Sequence, residues 1–277
     1  MPRKITGSKK PVFKPYEAKF KSGALTYWSG GKKTADAEGK DHLPVLYLHG
    51  AGGLYKSAAH ELLAADRRIF MPIIPGHDGT DFVADIDTMP KLAGLIADFV
   101  RTKLGGKCDL WGHSFGGWLA SWVAALHPDI VDLLVLENPA GFRAGGKGGV
   151  PTETRELFRQ MFAHPEKRIP DDRPREMVRA NAGKTRHYHS GTPFDTELVK
   201  RLGDIAAPTL IAYGIDEEII PIEGMRILSD GLPRHFLMYV YDAKHSIHVD
   251  QPERLARLMR DFFERGEAFI VTSAAAE

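Results

Sequence analysis

The stretch Cys108-Asp109-Leu110-Trp111-Gly112-His113-Ser114-Phe115-Gly116-Gly117 decides how the chain is read: an apolar, strand-like run, a serine between glycines, then a helical pattern to residue 126. A turn that passes so sharply from strand to helix drives the serine backbone into a sparsely populated φ/ψ region, and Gly112 and Gly116 leave room for it. The hydroxyl then stands clear of the sheet, and the Phe115 amide opens the helix where a developing oxyanion would be met. Glycine–serine turns are common, so the signal rests on both flanks having the right periodicity.

Outward from this turn, strand-like runs at 25–28, 45–48, 68–74, 108–111, 131–136, 208–213 and 235–241 alternate with helical patterns at 91–104, 116–126 and 252–263. The last helix repeats Leu255, Leu258, Met259 and Phe262 at helical steps. Such alternation predicts an α/β fold, a mostly parallel central sheet with helices on both faces. Between Leu136 and Pro208 the texture changes to charge, glycine and proline, with helical patterns at 154–162, 175–182 and 196–202. This predicts an inserted helical cap that shapes access to the site. The expected organisation is a basic N-terminal tail over 1–20, a core over 21–141 and 204–268, the cap over 142–203 and a C-terminal tail over 269–277.

The 277 residues are 43% hydrophobic, with 37 Lys and Arg against 36 Asp and Glu, so the formal net charge is +1. A balance so even gives no electrostatic case for nucleic acid or an acidic membrane as partner, and points to a small-molecule substrate. The single Cys108 falls in the apolar run and is expected to be a packed thiol. Arg3, Lys4, Lys9, Lys10 and Lys14 are not followed by the apolar stretch of a signal peptide, and no run approaches the ~20 residues of a membrane span. The reading is therefore cytoplasmic, as a monomer or homodimer.

Chemistry on a serine needs a base, an acid that orients the base, and an oxyanion hole. His245 follows the last strand in the segment 242–248, and Pro252 starts the next helix. The acid has several candidates: Asp216, Glu217 and Glu218 after the penultimate strand, and Glu137 at the end of the strand before it. Neighbouring residues of a loop point different ways, so one of the three loop acids at most can serve.

With these residues in order, the chain resembles the α/β-hydrolase superfamily, in its serine-nucleophile subgroup with a short helical cap, over roughly residues 20–265. Leu48-His49-Gly50-Ala51-Gly52-Gly53 resembles the His-Gly oxyanion turn, and Pro75-Gly76-His77-Asp78-Gly79-Thr80-Asp81 resembles the family's Pro-Gly-x-Gly-x-Ser-x segment; the elbow and the histidine loop follow. The resemblance implies Ser114 as nucleophile, His245 as base, and the Ala51 and Phe115 amides as oxyanion hole. Where the family places an Asp, three residues after the Gly and four before the Pro, this chain has Glu217, with Asp216 one residue early; register favours Glu217. Lys244 stands where a glycine commonly precedes the histidine.

Gly50, Gly52, His113, Phe158, Phe162 and His248 are the candidate substrate-binding residues. His49 is expected to brace the oxyanion turn through backbone bonds, Trp111, Trp118 and Trp122 to fill the core, and His187-Tyr188-His189 to lie on a wet surface rather than ligate a metal. The implied activity is hydrolysis of a small carboxylic ester or lactone through an acyl-enzyme, with no metal or organic cofactor. Carbon–carbon bond hydrolysis of the meta-cleavage type and a non-enzymatic receptor or scaffold are the alternatives. Dehalogenase and epoxide hydrolase relatives use Asp at the Ser114 position, which argues against both.

Overall fold

Strands and amphipathic helices alternate along the chain. β1 (Lys14–Phe20) and β2 (Gly23–Gly30) form a hairpin, followed by β3 (Val45–Leu48), α1 (Ala58–Leu63), β4 (Ile69–Pro72), α2 (Met89–Lys103), β5 (Cys108–His113), α3 (Phe115–Leu126) and β6 (Val131–Glu137). An insertion with α4 (Thr154–Met161), α5 (Arg175–Lys184), α6 (Arg186–His189) and α7 (Thr196–Val199) precedes β7 (Thr209–Gly214), α8 (Ile222–Gly231), β8 (His235–Val240), α9 (Ile247–Asp250) and α10 (Pro252–Arg265). This computed structural model describes residues 11–270 apart from 36–38, 40, 144–150 and 152.

The sheet runs β1-β2-β4-β3-β5-β6-β7-β8, with β3 to β8 parallel and the β1–β2 hairpin antiparallel at one edge. Successive residues of a strand face opposite sides, so Leu46, Leu48 and Leu110 pack towards α2 and α3, whereas Val45, Tyr47 and Trp111 pack towards α1 and α10. With both faces covered, β3, β5 and β7 are buried at every residue, as parallel strands in such folds are. Strand order reverses between β3 and β5, and a crevice opens at the carboxyl ends of strands where that happens. Those ends carry Gly50 and Ser114.

Two expected boundaries are corrected. Residues 14–20 are not a solvated tail: Ala18 is buried and Phe20 meets Phe99 edge-on, so alternate side chains of a charged segment still face α2. Phe269 is not in a free tail either, because it packs against Phe236 and Phe262 from a 3-10 turn over Gly266–Ile270. Arg3, Lys4, Lys9, Lys10 and residues 271–277 lie outside the described residues. Cys108 is buried as a free thiol. Among the described residues no helix is long and apolar enough to cross a membrane.

α3 approaches β3 very closely. A Cβ placed on Gly116 would stand 2.0 Å from the Leu48 carbonyl oxygen, whereas one on Gly94, in the middle of α2, meets nothing within 4 Å. Gly116→Ala is expected to cost about 3 kcal/mol in urea unfolding, and Gly94→Ala to add about 0.5–1 kcal/mol through helix propensity. Equal effects of the two would contradict this packing.

Candidate active site

Ser114 sits between β5 and α3 with φ 54° and ψ −117°, a conformation L-residues rarely adopt. The strain is held by four backbone bonds: Ser114 N–H donates to the Glu137 carbonyl, and its own carbonyl accepts from Gly117, Trp118 and Ala140. Space for the turn comes from glycine, since a Cβ on Gly112 would lie 2.4 Å from the Gly116 carbonyl oxygen. The opposite wall is the turn Gly50–Gly53, closed by Gly53 N–H on the Gly50 carbonyl at 3.1 Å. A Cβ on Gly50 would be 3.4 Å from Ser114 Cβ, so this turn lies directly against the serine.

His49 fixes that turn. Its Nε2 accepts from Ile74 N–H at 2.9 Å, which leaves the proton on Nδ1 to donate to the Gly50 carbonyl at 2.8 Å. Burial and the nearby His77 push its pKa down to about 3, so it stays neutral and keeps both roles. Ala51 is the first central residue of this turn, and Phe115, directly after the serine, is the first residue of α3.

His245 lies between β8 and α9. Its Nδ1 is 2.6 Å from Glu217 Oε2, with both side chains almost wholly buried. Glu217 Oε1 turns back to accept the Ile219 and Ile220 N–H groups at 2.5 and 3.2 Å. That fold-back takes up the methylene by which Glu exceeds Asp, and no displacement of the loop is needed. Asp216 is exposed and reaches the histidine loop only through its backbone, donating to the Ala243 carbonyl. A carboxylate on Nδ1 leaves the proton there and the Nε2 lone pair available as a base.

Glu137, the other acid weighed, belongs to a second buried pair. Its Oε1 accepts from both the backbone N–H of His248 (2.9 Å) and its Nδ1 (2.7 Å), while Oε2 accepts from Trp111 Nε1 at 3.0 Å. Burial raises its pKa, but the His248 and His113 imidazoles and the bonds from His248 outweigh burial and hold it at about 2. His113, which burial pushes well below its ordinary pKa, donates from Nε2 to the His245 carbonyl at 3.0 Å. His113 and His248, read from the sequence as candidate substrate-binding residues, are both buried, and the His113 ring lies 4.9 Å from that of His245 and 4.6 Å from that of His248. Their atoms, with those of Glu137, lie within 4.8 Å of one another. The bonds just described engage both Glu137 oxygens, His248 Nδ1 and His113 Nε2.

Asn138, which sequence reasoning passed over, joins the two halves of the site. Held at φ 40°, it donates from Nδ2 to the Lys244 and His245 carbonyls and accepts the Gly214 N–H on Oδ1. Asp250 was missed as well: its buried carboxylate accepts the Lys244, Ala163 and His164 N–H groups and so ties the histidine loop to the insertion. Lys244 points outward to Glu218 Oε1 and the Arg159 carbonyl, which explains how the loop tolerates a lysine there. The Phe158 and Phe162 rings meet at 5.1 Å with their planes inclined by 60°, and they line an open cavity of about 420 Å³ with Arg155, Arg159 and Lys244. Ser114 is not among its lining residues.

One aromatic expectation holds with an added role, and another changes in part. Trp118 and Trp122 are buried, but both indole N–H groups donate to Asp195 Oδ2 at 2.7 Å, fastening the insertion to α3. The segment 187–189 is a wet surface only in part: His187 is exposed, but Tyr188 is buried and donates to the Pro75 carbonyl, and the His189 ring lies 4.8 Å from that of Trp118. The insertion presses these rings onto the core, where helical spacing alone had left their faces undefined.

Glu137→Gln should lower stability by about 3 kcal/mol near neutral pH, since it leaves His248 without its buried partner. The folded-state pKa of Glu137 lies below the ordinary 4.5, so this stabilisation is complete above that value and is lost as pH falls towards 2. Urea unfolding of both proteins across the acid range should therefore show the gap narrowing; a constant gap would mean that Glu137 is protonated in the fold.

A model of the alpha/beta hydrolase family matches residues 45–258. The chain is 24% identical over 257 residues to the 2-hydroxymuconate semialdehyde hydrolase of Pseudomonas sp. (strain CF600), covering 83% of this chain and 89% of that one. It is 25% identical over 259 residues to the pyrethroid hydrolase of Sphingobium wenxiniae, with 84% and 91% covered. Among solved structures, naproxen esterase from Bacillus subtilis superposes with a TM-score of 0.68 at 16% identity, over 91% of this chain and 92% of that one. The meta-cleavage product hydrolase from Pseudomonas fluorescens IP01 gives a TM-score of 0.69 at 18% identity, over 87% and 94%. The strand order, the strained serine between β5 and α3 and the family match agree: the chain belongs to the alpha/beta hydrolase family.

Proposed function

We propose that the protein is a serine hydrolase that cleaves a small carboxylic ester or lactone, with Ser114, His245 and Glu217 as its triad. The observation that carries this reading is the buried 2.6 Å pair between His245 Nδ1 and Glu217 Oε2, on loops at the same sheet edge as the strained Ser114. An oriented imidazole with a free Nε2 has its use where a hydroxyl must be deprotonated.

In the proposed reaction, His245 Nε2 takes the Ser114 hydroxyl proton as Oγ bonds to the substrate carbonyl carbon. The resulting oxyanion is met by the Ala51 and Phe115 amides. Collapse breaks the carbon–oxygen bond to the leaving group, which receives the proton from His245. Water, deprotonated by the same nitrogen, then attacks the acyl-enzyme and releases the acid and Ser114. Glu217 keeps the ring in the required tautomer. The insertion acts as a cap over this site.

A second reading, hydrolysis of a carbon–carbon bond in a meta-cleavage product, is favoured by the names of relatives that match over most of both chains. It uses the same residues and differs in substrate.

Wild type and variants should be compared on p-nitrophenyl esters from acetate to dodecanoate, with fluorophosphonate labelling in parallel. Ser114→Ala and His245→Ala should each lower kcat by about 10⁴-fold or more, and Ser114→Ala should abolish labelling. Glu217→Gln should lose about 10³–10⁴-fold, while Asp216→Asn stays near wild type. Ester turnover that survives Ser114→Ala would sink the serine reading. Labelling without turnover of any ester, together with cleavage of a meta-cleavage product, would favour the second.

A further inference from the structure

The oxyanion turn is made of the residues least able to hold a shape. Gly50-Ala51-Gly52-Gly53 has glycine on both sides of Ala51; Gly53 takes φ 86°, and a Cβ on Gly52 would meet nothing within 4 Å. Glycine peptides reorient freely, whereas donors that stabilise an oxyanion work by being fixed in advance. From the core side, His49 and the Gly53 N–H hold the Gly50 carbonyl. These leave the Gly52 carbonyl and the exit of the turn to be held by something else.

That something comes from outside the core. The Gly52 carbonyl accepts from Asn181 Nδ2 at 3.0 Å and from Arg173 Nη1 at 3.1 Å, both residues of the insertion. Asp78 Oδ2 accepts the Leu54 N–H at 2.7 Å, and its Oδ1 accepts from the same two groups, Asn181 Nδ2 at 2.7 Å and Arg173 Nη1 at 3.0 Å. The bonds are reciprocal, since Asp78 N–H donates to Asn181 Oδ1 at 3.0 Å. Arg173 is itself gripped by Asp171 through Nε and Nη2, both at 2.9 Å.

Three features mark the cluster as more than a surface ion pair. Asn181 is the one buried side chain of α5, and the Asp78 side chain is only 6% exposed. A Cβ on Gly53 would fall 2.3 Å from Asp78 Oδ1, 2.4 Å from Asn181 Nδ2 and 2.7 Å from Arg173 Nη1, so the three side chains close directly over the turn. Asp78 also adopts φ 48°, in the left-handed region, at the position where the Pro-Gly-x-Gly-x-Ser pattern has its second glycine. A strained acid in a place suited to glycine is maintained only when its carboxylate is needed.

We propose that Asp78, Arg173 and Asn181 are positioning residues that clamp the oxyanion turn, so that the Ala51 amide is aimed only while the insertion is seated on the core. The clamp acts on the backbone, and none of the three need touch the substrate. Loss of the clamp then removes an interaction made with the tetrahedral oxyanion and leaves ground-state binding intact. The proposal rests on Ser114 as nucleophile with Ala51 in its oxyanion hole.

The test compares wild type, Asn181→Ala, Arg173→Gln and Asp78→Gly, with Ser114→Ala as control. It measures the second-order rate of fluorophosphonate labelling, kcat and KM on p-nitrophenyl butyrate, and inhibition by an alkyl trifluoromethyl ketone, whose hydrate-free adduct with the serine carries an oxyanion. Each clamp variant should lower kcat and the labelling rate about 10–100-fold with KM within about threefold, and should weaken the ketone by the same factor as kcat/KM. Asp78→Gly relieves the strained φ as it removes the carboxylate, so it guards against loss of folding as the cause. Kinetics within about twofold of wild type in folded variants, or a loss confined to KM, would overturn the clamp. If Ser114→Ala itself keeps labelling and turnover, the serine reading fails, and that outcome is separate from a clamp variant behaving as wild type while Ser114→Ala is dead.

Discussion

One close approach organises the molecule. α3 can come down onto β3 only because Gly116 has no side chain, and the sharp turn this permits holds Ser114 in a conformation it would not otherwise take. The strain is spread over bonds to Glu137, Gly117, Trp118 and Ala140, which tie the serine to β6 as well as to its own helix. Since β3 and β5 lie side by side at the point where strand order reverses, the same approach brings the Gly50–Gly53 turn against the serine. The strained serine and the Gly50–Gly53 turn are thus placed by backbone packing, before any side-chain chemistry is considered.

The histidine side is built differently, from paired buried imidazoles and carboxylates. Glu217 and His245 form one pair, and Glu137 and His248 the other, with His113 between them bonded to the His245 carbonyl. What separates their roles is the direction of approach. Glu217 enters from the loop after β7 with its second oxygen bound to its own backbone, so its free oxygen faces the ring. Glu137 enters from the end of β6 and is saturated by His248 and Trp111 inside the core. Burying a charge without such partners would cost several kcal/mol, so the second pair makes sense as the support on which the histidine loop rests.

The insertion is fastened to this frame at several points, each of which lies on a part of the site. Asp195 takes both indoles of α3, Asp250 takes amides from the histidine loop and from residues 163–164, and Arg159 with Lys244 brackets Glu218 beside the acid. Arg173 and Asn181 add bonds from the insertion to the Gly52 carbonyl, in the turn beside the serine.

The sequence by itself determined the sheet, the elbow and the set of candidate groups. Those signals are local: short apolar runs at β3 and β5, glycines around Ser114, a histidine after the last strand. It also confined the candidate acids to a short loop and Glu137, and register favoured Glu217. Only the tertiary structure decided that the Glu217 carboxylate folds back onto Ile219 and Ile220, that Glu137 is spent on His248 across 111 residues of chain, and that Asp78 meets Asn181 across 103. It likewise decided that residues 14–20 join the sheet and that Tyr188 is buried. The reason is the same throughout: periodicity reports which face of an element is apolar, but a polar side chain takes its role from whichever partner the folded chain brings within hydrogen-bond reach.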